Sequence, residues 1–224
     1  MASYGQFCPV AKAMELLDER WTLLVLREIL SGSRRFSDLR RGVPRMSPTL
    51  LSKRLRMLVR DGVLEREKHG NEVHYVPTEA CEEVRPIVEA IGAWGIRWIG
   101  ELGEEDLDPH LLVWDMHRNL DLEQVPAGRT VVHLGFTDVE AEVRDWWLVI
   151  DPPEVDVCDD DPGYGVDVAV ASSLRTLTEI WRGDRGWQDA IRAGELDVRG
   201  PERLRRGLPQ WMKLSMFAQV PRTG

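Results

Sequence analysis

Between Ser47 and Gly62 the chain sets hydroxyl and cationic side chains against a row of leucines. At the 100° per residue of an α-helix, Thr49, Lys53, Arg56 and Arg60 share one side, flanked by Ser52. Leu51, Leu55 and Leu58 share the other side with Gly62. Hydroxyls and cations in that pattern suit base edges and phosphate oxygens. Thr49, Ser52 and Lys53 lie in the first two turns, where base edges are reached, while Arg56 and Arg60 suit phosphates. Arg45 and Ser47 at the helix entry are candidate backbone contacts. Lys68, His69 and Asn71, with His74, lie on a following hairpin that could reach a minor groove or adjacent phosphates. A basic helix face taken alone is only a solvated face; its place in a helix-turn-helix makes it a reading face.

The elements that must position this face are legible around it. Helical stripes run over Pro9–Leu17 and Trp21–Leu30, and a short helix over Phe36–Arg41 ends at Gly42-Val43-Pro44. The reading helix runs from Ser47, a good N-cap, to about Asp61, with Pro48 at the first helical position and Gly62 as its stop. Strand-like runs Val63–Glu67 and Val73–Val76 are joined through Gly70-Asn71, a hairpin signal. A last helix is expected over Glu79–Ile99, kinked at Pro86. Helix, helix, turn, helix and hairpin in that order make a winged helix-turn-helix, with double-stranded DNA as the partner.

The charge distribution supports this. The 224 residues carry a net charge of −9, but residues 34–68 hold 11 basic and 4 acidic side chains, net +7. Residues 101–224 hold 13 basic and 25 acidic side chains, net −12. Exposed charges are largely screened beyond ~10 Å at moderate salt, so a basic face can meet DNA beside an acidic partner domain.

No other chemistry emerges. His110, His117 and His133 lack zinc-helix spacing, and Asp159-Asp160-Asp161 lacks the glycine and distal glutamate of a calcium loop. Gly163-Tyr164-Gly165 precedes a strand and has no third glycine, so it is no dinucleotide fingerprint. Ser172-Ser173 has no visible base partner. Cys8, Cys81 and Cys158 form no CxxC pair, so neither a disulfide framework nor a metal site is expected. The expectation is a non-enzyme without cofactor. The start of the chain lacks the regions of a signal peptide and no apolar run approaches the ~20 residues of a membrane span, so a cytoplasmic, non-membrane protein is expected.

Cys8-Pro9-Val10, Trp21 through Glu28, Arg35 through Arg40, Ser47-Pro48 through Leu55-Arg56, and Asp61-Gly62 resemble the HxlR family of bacterial regulators over residues 7–99. The resemblance implies a homodimer on a pseudo-palindromic operator. Its interface would be formed by Pro9–Leu17 and Glu79–Ile99, the latter offering Val84, Ile87, Val88, Ile91, Trp94 and Trp98. Packing within the monomer is the alternative for that stripe. In several members of the family a cysteine at the place of Cys8 senses oxidants or electrophiles, which needs an exposed thiol with a lowered pKa; Lys12, one turn on, could help. The alternative is a small apolar residue in the dimer helix.

Beyond an acidic linker at 101–108 the pattern changes. Runs 129–137, 144–150, 165–170 and Glu195–Arg199 read as strands, Thr176–Trp181 and Trp187–Ala193 as helices. A final helix opens at Gly200-Pro201 and includes Met216 and Phe217. This is an α+β pattern, an antiparallel sheet with helices on one face. Asp167 through Val170, Leu174 through Leu177, Ile180 through Gly183, Asp189-Ala190, Gly194 through Leu196 and Val198 through Gly200 resemble a sterol carrier protein 2 type domain. That resemblance implies an apolar cavity for a hydrophobic small-molecule effector. Trp114, Trp146, Trp181, Trp211, Met212 and Met216 are candidate walls; plain core packing is the alternative for each. Parity alone leaves open which of Trp146 and Trp147 faces inward.

The expected organisation is a DNA-binding and dimerisation domain over 1–100, a linker over 101–108 and a sterol-carrier-like domain over 109–220. The expected function is a transcription regulator, a repressor, whose operator binding responds to a hydrophobic molecule. Two alternatives stay open: a thiol-sensing regulator acting through Cys8, and a lipid carrier with a vestigial DNA domain.

Overall fold

The computed structural model describes residues 3–99 and 102–223. The chain divides into two compact units, residues 1–94 and 95–224.

In the first unit, α1 (Pro9–Leu17) and α2 (Thr22–Leu30) are joined through Trp21, whose backbone takes the left-handed conformation at φ 77°. The next helix, α2, buries Val25, Leu26 and Ile29 completely. A turn leads through α3 (Phe36–Gly42) to α4 (Pro48–Arg60). Ser47 Oγ accepts from the Leu50 amide at 3.3 Å, and Pro48 needs no N–H at the first position. Leu51, Leu55 and Leu58, spaced i, i+4, i+7, are fully buried and anchor α4 on one face.

Strands β1 (Leu64–His69) and β2 (Glu72–Pro77) pair antiparallel from Leu64 opposite Pro77 to His69 opposite Glu72. Gly70 closes the turn at φ +63°, a conformation that suits glycine. The wing is tied back to the helices, because the Tyr75 amide donates to the Arg34 carbonyl at 2.9 Å.

The helix expected over Glu79–Ile99 is two helices, α5 (Glu79–Glu82) and α6 (Arg85–Trp98). Proline cannot donate to the carbonyl four residues back, so the chain breaks at Glu83-Val84 and Pro86 falls in the first turn of α6. The expected kink is therefore a restart.

The second unit opens with α7 (Pro109–Arg118), an element the sequence reading did not assign; Asp108 caps it by accepting from the Leu111 amide at 3.2 Å. Five strands follow: β3 (Thr130–Phe136), β4 (Asp145–Asp151), β5 (Glu154–Cys158), β6 (Val168–Ser172) and β7 (Leu196–Arg199). Between β6 and β7 lie α8 (Leu174–Arg182) and α9 (Trp187–Arg192), and α10 (Glu202–Trp211) comes last.

The sheet order is β5-β4-β3-β6-β7. Expected to be wholly antiparallel, the sheet is mixed, because β6 pairs parallel with β3. Once β3, β4 and β5 have formed a meander, residues 159–167 carry the chain back past two strands to the far side of β3, and it arrives in the direction of β3. The strand β5 was also not anticipated; its alternation is only half-buried at the sheet edge. Val132, Leu134 and Phe136 of β3 share one apolar cluster with Leu148, Ile150, Val168 and Val170 and with residues of α7–α10, so the helices do cover one face. The final helix ends at Trp211, before Met216 and Phe217, with Pro209 inside its last turn.

Candidate nucleic-acid interface

The outward face of α4 is the face opposite its buried leucines. Thr49, Lys53, Arg56 and Arg60 are exposed, and Ser52 is half-buried. Among the described residues Lys53 and Arg56 make no ion pair, so both ammonium and guanidinium remain open to an anion. Arg60 differs. Its guanidinium donates twice to the carboxylate of Asp61, at 2.7 and 3.0 Å, and this pairing raises its pKa. Arg45 is exposed and partnered, and Ser47 is occupied as the helix cap. A pocket of about 340 Å³ opens along α4, lined by Glu19, Lys53, Arg54, Arg56, Met57 and Arg60.

Arg54 was missed at the sequence level. It lies on the core side of α4, with its side chain 7% exposed, and reaches back to the segment between α1 and α2. There it holds the Glu19 carboxylate at 2.5 Å and the Arg20 carbonyl at 3.1 Å. A helical wheel shows it beside the leucines, which was the one available signal. Beneath α3, the buried carboxylate of Glu28 is gripped by Arg27 at 2.7 and 3.0 Å, and Arg27 also donates to the Gly42 carbonyl at 2.8 Å. The α3 end of the turn leading toward α4 is thus tied to α2.

On the wing, Lys68, His69 and Asn71 are exposed. His69 pairs with Glu67 at 2.9 Å and its ring lies 4.5 Å from that of His74, which pairs with Glu72 at 3.3 Å. Lys68 makes no ion pair among the described residues.

Neither α1 nor α6 has a buried residue. The stripe expected on α6 divides: Val84, before the helix, and Val88 pack against the core of their own unit, while Ile87, Ile91, Trp94 and Trp98 remain exposed. Phe7 and Val10, at and before the start of α1, are exposed as well.

Cys8 is half-exposed at the N-cap of α1. The ammonium of Lys12, expected to support a thiolate there, is bound by Glu15 at 2.7 Å. Cys81 is buried, and desolvation pushes its thiol up to about 11.

The expected cavity walls separate in the second unit. Trp146, Trp211 and Met212 are buried in the cluster between sheet and helices, and Trp181 packs against it. Trp146 faces inward with its Nε1 donating to the Val143 carbonyl at 2.8 Å, and Trp147 faces the opposite side beside His133. Trp114 is buried against His117, the rings 4.2 Å apart. Met216, expected on a lid helix, is 63% exposed beyond the end of α10, because the helix ends at Trp211, five positions earlier. Trp187, not among the expected walls, is buried in the same cluster, and its Nε1 has no hydrogen-bond partner among the described residues.

A tri-helical core with a two-stranded wing and a cation-bearing second helix defines a winged helix-turn-helix regulator of transcription, a class that binds DNA and is not enzymatic. The chain belongs to the HxlR-like helix-turn-helix family, whose model matches residues 16–102. It is 33% identical over 99 residues to the HTH-type transcriptional regulator YvaP of Bacillus subtilis, covering 42% of this chain and 92% of the relative. It is 34% identical over 98 residues to an HTH-type transcriptional regulator of Synechocystis, covering 42% of this chain and 73% of the relative. Among solved structures, the reduced form of the regulator YodB from B. subtilis is 25% identical and aligns over 43% of this chain and all of that one, with a TM-score of 0.38. No described helix is long and apolar enough to cross a membrane.

Proposed function

We propose that the protein is a homodimeric repressor that reads a pseudo-palindromic operator through α4 and responds to a hydrophobic molecule held by its second unit. The carrying observation is the two-sidedness of α4: three leucines fully buried on one face, and on the other exposed Thr49, Lys53 and Arg56 with both cations unpaired among the described residues. Thr49, Ser52 and Lys53 read base edges in the major groove. Arg56 meets phosphate, with Arg45 and Ser47 at the helix entry and Lys68, His69 and Asn71 on the wing as flanking contacts. Arg60 joins them when DNA phosphate competes with Asp61. The exposed stripe Ile87, Ile91, Trp94 and Trp98 supports the dimer, since isolated proteins seldom leave two tryptophans of one helix in water.

The sterol-carrier-like reading of residues 109–220 is supported by a five-stranded sheet covered on one face by helices, and by Trp146, Trp211 and Met212 in the layer between them. An effector there changes operator affinity only if it binds the two dimer geometries unequally.

The test is the affinity of the protein for a duplex it has itself selected from random-sequence DNA, measured by fluorescence anisotropy against salt. About 6–10 phosphate contacts weaken binding ~10³–10⁵-fold between 50 and 200 mM salt. A flat salt response refutes the reading.

A second reading, thiol control through Cys8, rests on the half-exposed thiol at the start of α1. It fails if oxidant-induced release from DNA survives Cys8→Ser.

A further inference from the structure

A cleft of about 560 Å³ opens in the second unit beside the last turn of α6, within the size range of small-molecule sites. Part of its lining is apolar: Ile96, Ile99 and Leu102, bordered by Trp98. Ile99 is 63% exposed, so this apolar surface meets water. The rest is charged, with Arg97, Arg175, Arg182 and Arg222 against Glu179 and Asp184.

The charge balance is unusual for its surroundings. Residues 95–224 hold 14 basic and 25 acidic side chains, net −11. Yet the cleft has an excess of cations. Asp184 is engaged by Arg182 at 2.8 Å and by Arg222. Arg175 is engaged by Glu104 at 2.5 Å. Among the described residues, with Glu104 counted, the excess is one positive charge. Arg97 makes no side-chain ion pair among the described residues.

The walls are built rather than incidental. Arg175 donates to the Leu102 carbonyl at 3.2 Å, and Arg222 to the Arg182 carbonyl at 3.1 Å. Thr223 Oγ1 donates to the Arg97 carbonyl at 2.5 Å, satisfying an acceptor of the last turn of α6. Gly183, at φ +79°, lets the C-terminal segment close in, since a Cβ there would lie 2.7 Å from Ala218 Cβ.

We propose that this cleft binds an amphipathic monocarboxylate, with the carboxylate taken by Arg97 beside Arg222 and the apolar body lying along Ile96, Ile99 and Leu102. A guanidinium presents a planar fork that matches a carboxylate, and the single excess charge suits a monoanion. The site is separate from the apolar layer between sheet and helices, and it does not rest on the DNA-binding reading.

The test is isothermal titration of the full-length protein, without DNA, with decanoate, decanol and decyltrimethylammonium. Decanoate is expected to bind saturably, with decanol about tenfold weaker and the cation weaker still. Arg97→Glu and Ile99→Asp change exposed side chains, and thermal melting checks that both variants fold. Each is expected to weaken decanoate at least about tenfold. Absence of saturable decanoate binding overturns the proposal, as does decanol binding equal to decanoate. Decanoate affinity that survives Arg97→Glu also overturns it and assigns the ligand to the apolar layer instead, leaving the effector reading intact.

Discussion

Arg54 of the reading helix holds the carboxylate of Glu19 at 2.5 Å, and the two partners are unequally buried: the Arg54 side chain is 7% exposed and that of Glu19 42%. The asymmetry predicts an asymmetric response. Glu19→Ala leaves a guanidinium buried with the Arg20 carbonyl and Met57 Sδ for company, and is expected to cost about 1–3 kcal/mol in urea denaturation. Arg54→Met removes the buried charge and returns Glu19 to water, so its cost is expected below about 1 kcal/mol. Equal losses would show that the pair does not anchor α4.

Gly42 is expected to tolerate no side chain. A Cβ there would lie 1.7 Å from the Glu28 carboxylate, which is fully buried and cannot swing into solvent. Gly42→Ala must displace the carboxylate from Arg27, and a loss of about 2–4 kcal/mol is predicted from denaturant midpoints. A neutral result would mean that α3 shifts freely.

The α4 cations divide by role. Arg56→Ala is expected to weaken all sequences alike and lower the salt slope by about 1. Thr49 and Lys53 substitutions are expected to change the preferred sequence instead. Arg60→Ala should weaken DNA less than Arg56→Ala, because Asp61 already holds Arg60. Competition binding against a panel of single-base operator variants separates these patterns.

Trp94 is 57% exposed and lies in the middle of the α6 stripe. Trp94→Glu is expected to leave the melting of the isolated chain little changed while converting dimer to monomer at micromolar concentration, by sedimentation equilibrium. A dimer that persists places the seam elsewhere.

The thiols should separate by reactivity. With its pKa raised to about 11 by burial, Cys81 stays protonated at pH 8 and is expected to react with Ellman's reagent only on unfolding, whereas half-exposed Cys8 reacts in the native state. Because the folded pKa of Cys81 lies above its ordinary value of 9.0, the protonated thiol favours the native state below pH 9. That contribution declines as pH rises from 9 toward 11. Stability that is flat across that window, relative to Cys81→Ala, would contradict the burial.

The reading helix was legible because every signal for it is local. Ser47, Pro48 and the leucines at 51, 55 and 58 act within two or three turns, and they place the start of α4 and its buried face without reference to the rest of the chain. The same holds for the Gly70 turn of the wing. What the tertiary structure alone decided depends on residues far apart in sequence. Arg54 is buried because Glu19, 35 positions earlier, arrives to hold it. Trp146 rather than Trp147 faces the helices because β4 pairs with β3 in a register that strand parity cannot supply. Likewise β6 lies parallel to β3 through pairings 36 residues apart, which no local periodicity encodes. Hydrophobic period and capping determined the elements and the cationic face of α4. Long-range packing decided that Arg54 is committed to Glu19, 35 positions away, whereas Asp61, the next residue in the chain, holds Arg60 locally and Lys53 and Arg56 are left open to DNA.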